Sequence, residues 1–374
     1  MTTNGTEQDT KGSKRLFWTA SAFYALIAFE FFYMASPFAA YFYSVYGPGM
    51  DWLQALPIAD WTLWFILPHL VEDTRSAVLN YVELFGLALL FGGLIAFVAG
   101  VFQVYRAKLT KSGAVKEGVY RYIRHPQYLA LIIASLGMLL VWPRFLVLFS
   151  TSCVILAYVL LARSEERQCL RSFPDYADYM ETTGMFLPRI SQRTGTGPMS
   201  TFGLLAGFVM TVALVTAGAF GLRSAAIGSL YTVDTDAGVF LSVAHIDDAD
   251  LASVAQIVLA DVDVQETISA ADAHGQVLAY VLPTEMYVSE IPMHLPAGEA
   301  FGHSVPRNAD PTQWKVILTQ AEFGAGHDGA NILREAVNKS PLEEVHIDLS
   351  TQQITNRHEP PQDAFYNGRQ VPIF

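Results

Sequence analysis

The 374-residue sequence has little charge and almost no cysteine. Charged residues make up 16% of the chain and hydrophobic residues 52%, which is apolar for a soluble protein. Its two cysteines, Cys153 in an apolar run and Cys169 in a charged segment, show neither zinc-site nor redox spacing. These shortages argue against a disulfide scaffold and favour a membrane protein.

An excess of basic residues and the common catalytic motifs are also missing. No phosphate loop, dinucleotide-binding glycine pattern or Ser/His/Asp order stands out. The formal net charge is −12, and it divides into a net of −14 from Arg223 onward and +2 for residues 1–222. Because nucleic acid requires a basic surface, we expect no nucleic-acid partner.

Long apolar runs are abundant, and about 20 helical residues cross a hydrocarbon core of about 30 Å. Five transmembrane helices are predicted, at about 16–46, 82–105, 128–141, 145–162 and 202–222. The fifth is rich in Gly and Ala, which suits close helix packing. Tryptophans and scattered acids in 47–79 favour an interfacial segment over a sixth span.

Lys and Arg concentrate in the N-terminal tail, after the second run and after the fourth, whereas the opposite side has only Arg75 and Arg144. Since cytoplasmic loops collect basic residues, the N-terminus is predicted to be cytoplasmic and the C-terminal domain extracytoplasmic. A bacterial inner membrane is the expected setting, with the lipid bilayer itself as a partner.

The predicted fold is an α-helical integral membrane bundle of about five transmembrane helices, followed by a small α+β extracytoplasmic domain. The expected domains are a disordered cytoplasmic tail (1–15), a transmembrane domain (16–222) and an acidic domain (224–374). In the last, strands are predicted at 238–245, 276–282 and 314–320, and helices at 248–259 and 329–338. Asp248 or Asp250 is the expected cap of the first helix.

Two polar clusters lie at the open end of the hairpin predicted from the third and fourth runs. Arg124, His125 and three tyrosines precede the third run, and Glu165 and Glu166 follow the fourth. Pro126 disfavours a helical His125 and is tolerated at the start of a helix, so a helix is predicted to begin there. Both clusters should meet on the cytoplasmic face. On these residues alone, ordinary interfacial anchoring remains as good an explanation as a functional site.

The order of the motifs adds information. Arg124-His-Pro-x-Tyr128 is followed by Glu165-Glu166, by Phe173-Pro-Asp-Tyr-Ala-Asp-Tyr179 and by Phe186-Leu-Pro188. This order resembles the isoprenylcysteine carboxyl methyltransferase and phospholipid methyltransferase superfamily, over about residues 80–190. The resemblance implies an integral membrane enzyme that uses S-adenosylmethionine on the cytosolic side.

Matching the family motifs residue by residue gives the expected site. The expected catalytic residues are Glu165, Glu166 and Arg124. The expected cofactor-binding residues are Tyr120, Arg124, His125, Pro126, Tyr128, Glu165, Glu166, Phe186, Leu187 and Pro188. One hypothesis is that Glu165 or Glu166 orients the donor or takes a proton from the acceptor.

Two positions depart from the family pattern. Pro174 replaces a glycine, and Met185 stands where the family has an arginine. Without that basic residue a carboxylate acceptor is disfavoured relative to a small thiol, an amine or a neutral lipid, although Arg189 lies close enough to substitute in part. The alternative is a non-catalytic structural or assembly subunit that docks a protein partner through residues 224–374.

Seven of the nine histidines lie in the C-terminal region. His294 and His303, with Glu290 and Glu299 nearby, carry metal-ligating side chains, but no tight His-x-x-His spacing is present. The sequence therefore predicts no metal site.

Overall fold

The computed structural model describes residues 14–15, 17–19, 21–22, 24–25, 39–109, 117–189, 200–295, 302–324, 327, 329, 331–361 and 371–374. The chain divides into two compact units, Met1–Phe31 with Val82–Ala217, and Phe32–Tyr81 with Gly218–Phe374. Most of the predicted tail and of the predicted first span lies outside the described residues.

Nine α-helices are described. They are α1 (Ala39–Gln54), α2 (Val82–Leu109), α3 (Pro126–Val141), α4 (Phe145–Ser172), α5 (Tyr176–Thr182), α6 (Thr201–Ile227), α7 (Asp248–Ala260), α8 (Val262–Ala270) and α9 (Ile332–Glu335). Short 3-10 helices occupy Asp60–Leu63, Leu79–Tyr81 and Gly118–Arg121.

Within the described ranges, three helical segments are long and apolar enough to cross a membrane. They are Leu79–Val104, Phe145–Ser172 and Phe202–Ile227. These segments coincide with the second, fourth and fifth predicted spans. The third predicted span is the apolar but shorter α3, with 16 residues. The described chain therefore has three candidate spans and a C-terminal domain rich in β-sheet.

Small residues bring the backbones of α2 and α3 together. A Cβ added at Gly137 on α3 would lie 2.3 Å from the backbone N of Leu90, and one added at Gly93 on α2 would lie 2.6 Å from the carbonyl O of Ala130. Such contacts allow close helix approach in membranes. Among the described residues, nothing lies within 4 Å of a Cβ added at Gly207, Gly218 or Gly221, so the glycine packing expected of the fifth run is not seen in this part of the chain.

The second unit contains a six-stranded sheet in the order β1-β2-β3-β6-β7-β8 and a two-stranded β4-β5 ladder. The strands are β1 (Tyr231–Thr235), β2 (Gly238–Ser242), β3 (Val277–Pro283), β4 (Tyr287–Val288), β5 (His303–Ser304), β6 (Gln313–Phe323), β7 (Ala336–Asp348) and β8 (Gln353–His358). Strands β2 and β3 are parallel and are connected through α7 and α8, whereas every other neighbouring pair is antiparallel. The three predicted strands and the helix predicted at 248–259 are confirmed.

The helix predicted at 329–338 is confirmed only at Ile332–Glu335 and is wrong from Ala336 onward. Helix α9 has four residues, capped by the side chain of Asn331, and β7 begins at Ala336 because pairing with β6 outweighs helical propensity there. The predicted cap of α7 is also wrong, since Asp247 is the N-cap residue and makes no side-chain capping bond. Asp248 instead pairs with Arg75.

Each face of the sheet is covered by a different part of this unit. Helices α7 and α8 cover the face that carries Phe240 and Val316. The chain segment before α2 packs on the other face through the fully buried Leu70. Backbone bonds hold this segment, with the N–H of Glu72 donating to the carbonyl of Val243 at 2.8 Å. The N-terminal segment around residues 60–81 is thus structurally part of the C-terminal sheet domain.

An ionic cluster joins the same segment to β5, with Glu290 buried and His303 and Glu72 partly exposed. His303 Nδ1 is 3.1 Å from Glu72 Oε1, and His303 Nε2 is 2.9 Å from Glu290 Oε2. Burial by itself lowers the pKa of His303, but the hydrogen bonds to Glu290 and Glu72 raise it to about 10. The same histidine helps to keep the pKa of the buried Glu290 below its ordinary value.

Candidate functional site

The predicted helix start at Pro126 is confirmed. Pro126 is the first residue of α3, and His125 is its N-cap residue with φ −124° and ψ 60°, outside helical geometry. The proline has no amide hydrogen to lose at this position, and it restricts the residue before it. The backbone therefore turns sharply at His125, so that residues 118–125 lie across the end of the helix pair.

A second chain segment runs parallel to this turn. The N–H groups of Arg124 and His125 donate to the carbonyls of Gly184 and Met185 at 2.9 and 3.1 Å. A Cβ added at Gly184 would lie 1.7 Å from the carbonyl O of Leu187, so no larger residue fits there. The observed contact of Met185 uses its backbone, and the loss of an arginine side chain there leaves this ladder intact.

Glu166 is the buried member of the acidic pair. Its side chain is 7% exposed, and its Oε1 accepts from Arg124 Nε at 2.6 Å and lies 3.2 Å from His125 Nε2. Arg124 also donates to the carbonyls of Thr183 and, at 3.2 Å, Met180. The ion pair thereby joins the turn, α4 and the end of α5.

Glu165 differs from its neighbour in exposure and in partners. Its side chain is 46% exposed, one oxygen accepts from the Tyr128 hydroxyl, and the other lies 3.6 Å from His125 Nδ1. Burial by itself lowers the pKa of His125, but its bonds to Glu165 and Glu166 raise it. A partly exposed carboxylate therefore stands beside a histidine whose protonated form is favoured.

Aromatic rings line the same place. The His125 and Tyr128 rings are stacked with centroids 5.6 Å apart and planes 6° apart, and Tyr128 stacks on Tyr158 at 4.7 Å. Phe186 closes the other side, with its ring centroid 6.1 Å from that of His125. Rings beside a carboxylate form an environment that binds a compact organic cation.

Most of the residues expected at the site lie together, but some of them hold the backbone in place and do not line the site. Tyr120 is buried and its carbonyl accepts from the Tyr179 hydroxyl, which ties the 3-10 helix to α5. Burial raises the pKa of Tyr120 to about 12, so its hydroxyl stays protonated. Leu187 and Pro188 are exposed.

One residue at the site, Tyr158, is absent from the sequence prediction, and another, Arg189, makes contacts that were not expected. Tyr158 stacks on Tyr128. It lies seven residues before Glu165, which is two helical turns on the same face of α4, and this spacing could have predicted its position at the site. Arg189, expected to substitute for the missing arginine, donates instead to the carbonyls of Met180 and Glu181 at the end of α5.

Comparison with known proteins gives one family. The model of the phospholipid methyltransferase family matches residues 82–175. Comparison with curated proteins and with solved structures gives no match. The matched region contains α2, α3 and α4, and with them the Arg124-His-Pro-x-Tyr128 motif and both acids.

The family match and the apolar helices together indicate a membrane methyltransferase. The resemblance predicted from the motif order is confirmed for this part of the chain, since residues 82–175 match the phospholipid methyltransferase family model.

Proposed function

We propose that the first unit is an S-adenosylmethionine-dependent methyltransferase in which Glu165 and Tyr128 would hold the sulfonium group of the donor. The observation that carries the proposal is the difference between the two acids. Glu166 is buried and paired with Arg124, whereas Glu165 is half-exposed beside stacked rings.

The residues present suit the chemistry of the donor. When bound, S-adenosylmethionine supplies a methyl group on a positively charged sulfur. Glu165 attracts such a charge, and because its side chain is 46% exposed, solvent limits the attraction to about 1–2 kcal/mol. The Tyr128 ring excludes water and interacts favourably with a cation, whereas His125, whose protonated form is favoured, serves to hold Glu165 and Glu166 in place.

The protein residues divide the remaining tasks. Methyl transfer is an in-line displacement in which the carbon–sulfur bond breaks as the bond to the acceptor forms, so alignment supplies much of the rate. Glu165 is placed to take the proton that an acceptor thiol or amine releases. Arg124 and Glu166 are positioning residues, because their buried side chains form an ion pair with each other.

The acceptor is a lipophilic molecule or a small thiol, amine or carboxylate that reaches the site at the cytosolic membrane face. Met185 disfavours the carboxylate, since the nearby Arg189 donates to carbonyls at the end of α5. We further propose an integral protein of a bacterial inner membrane, with residues 224–374 outside the cytoplasm and available to a protein partner.

A second function from another class is a non-catalytic structural or assembly subunit. The mutual pairing of Arg124, His125 and Glu166 favours it, because such contacts would stabilise the bundle whether or not a donor binds. Binding of the donor separates the two functions.

The test is calorimetry of the purified full chain in detergent with S-adenosylmethionine and with S-adenosylhomocysteine, which lacks the sulfonium charge. Glu165→Gln should weaken binding of the charged donor by at least about tenfold, or about 1.4 kcal/mol, and that of the neutral product much less. Glu181→Gln, an equal charge change at an exposed site on α5, is the control. Absence of binding of either compound at millimolar concentration would support the structural subunit.

A further inference from the structure

Two neighbouring strands of the C-terminal sheet present imidazole and carboxylate groups on one face. Glu344 on β7 is directly opposite His358 on β8, and His346 is directly opposite Asn356. Side chains of opposed residues, and of residues two apart along a strand, point to the same side of a sheet. Glu344, His346 and His358 therefore project together, although twelve residues separate the last two in sequence.

The potential donor atoms of these three residues lie within 4.8 Å of one another. His346 Nε2 is 2.9 Å from Glu344 Oε1, and the rings of His346 and His358 have centroids 5.0 Å apart. A third imidazole approaches from the chain after β4. His294 Nδ1 lies 3.4 Å from Glu344 Oε2, and its ring centroid is 5.2 Å from that of His358.

We propose that Glu344, His346 and His358 bind a divalent transition-metal ion of the zinc type, with His294 as the fourth ligand. Zinc takes imidazole nitrogen and carboxylate oxygen at 2.0–2.2 Å in tetrahedral geometry, which places donor atoms about 3.4 Å apart. The donor atoms of Glu344, His346 and His358, which lie within 4.8 Å of one another, would have to move closer by side-chain rotation to reach that spacing.

The supporting contacts hold the carboxylate in place while leaving access to the histidines. Glu344 is 3% exposed, and one of its oxygens accepts from the backbone N–H of His294 at 3.0 Å. His346 and His358 are partly exposed, so an ion can enter from solvent. Buried Lys315, opposite His346 on β6, already places a positive charge near Glu344. Imidazole coordination, rather than carboxylate charge, must therefore supply the affinity.

This donor set also selects among metals. Magnesium and calcium prefer oxygen ligands, and one carboxylate among imidazoles offers them little. Zinc, cobalt and nickel accept imidazole readily. A metal here would join the chain after β4 to the β7–β8 hairpin.

The test uses the full chain without a polyhistidine tag, treated with a chelator and titrated with Zn²⁺ in a calorimeter. We expect one Zn²⁺ per chain and no comparable binding of Mg²⁺. His346→Ala and His358→Ala should each weaken Zn²⁺ binding by at least about 100-fold, since loss even of an outer-shell partner costs 10–100-fold. His274→Ala, which removes an exposed histidine of the same unit outside the cluster, should change nothing.

Cobalt gives a second readout, because tetrahedral Co²⁺ absorbs visible light more strongly than hydrated Co²⁺. The band should appear in the unchanged protein and in His274→Ala, and it should be lost in His346→Ala while the far-ultraviolet circular dichroism is retained. Absence of Zn²⁺ binding by the unchanged protein, or unaltered binding by both ligand variants, would overturn the proposal.

Discussion

The buried Arg124–Glu166 pair should dominate the stability of the first unit, and Glu166→Gln tests this. The side chains of the pair are 9% and 7% exposed, and their closest atoms are 2.6 Å apart. Substitution by glutamine keeps an oxygen for the hydrogen bond but removes the negative charge. Arg124 is then a buried cation whose remaining close partners are the neutral carbonyls of Thr183 and Met180.

Removing one partner of a buried ion pair costs about 3–5 kcal/mol. Because glutamine keeps one hydrogen bond, we expect Glu166→Gln to lower the free energy of unfolding by about 3 kcal/mol, near the lower end of this range. For a unit of this size, that loss corresponds to a fall of about 6–12 °C in the unfolding midpoint. The matched variant is Glu165→Gln, whose side chain is 46% exposed and which should change stability by less than about 0.5 kcal/mol.

The measurement is thermal unfolding of the full chain in detergent, with the first transition followed by fluorescence. The double variant Arg124→Met with Glu166→Met should recover part of the loss, because no unpaired charge is left buried. Recovery should be incomplete, since the carbonyls of Thr183 and Met180 lose their donor. Equal midpoints for Glu166→Gln and Glu165→Gln would refute the assignment of Glu166 as a positioning residue.

Two further predictions concern the turn beside the site and the second unit. Gly184→Ala should prevent the donor site from folding, because the new Cβ would overlap the carbonyl of Leu187. The control Gly207→Ala should leave the unfolding midpoint unchanged, because nothing lies near its new Cβ. Equal yields and equal midpoints for the two variants would contradict this prediction. His303→Gln should destabilise the second unit at pH 6, since the folded-state pKa of about 10 exceeds the ordinary 6.5. The stabilisation by protonated His303 is fully present below about pH 6.5 and is lost as the pH rises through about 10. In denaturant titrations, the loss of unfolding free energy caused by His303→Gln should therefore shrink over that range. A loss that does not depend on pH would oppose the ion-pair explanation.

The site could be predicted from the sequence where short-range chemistry determines it. Pro126 sets the start of α3 by its missing N–H and its effect on His125, and the three-residue connection at 142–144 makes α3 and α4 neighbours. The motif residues therefore meet as the hairpin requires. The sequence did not predict which of Glu165 and Glu166 is buried, because this depends on the direction in which the Arg124 side chain points.

The second unit was less predictable because its decisive contacts are long-range. Glu72 bonds to His303 across more than two hundred residues, and no local pattern indicates that the segment before α2 belongs to the C-terminal sheet. Likewise, the predicted helix at 329–338 fails because β7 pairs with β6 from Ala336 onward, and β7 pairs with β8 further along. The histidine cluster depends on that register, which is why spacing along the chain did not reveal it.

The departures from the family pattern affect the two halves of the proposed reaction unequally. The residues assigned to the donor, Arg124, His125, Tyr128 and both acids, are present and in mutual contact. At position 185 the backbone still accepts from His125, so only the side chain that would face an anionic acceptor has changed. Of the two acids, Glu165 is the one left half-exposed, where it can meet a charged donor. The pattern therefore favours an enzyme with a different acceptor over a subunit that has lost catalysis.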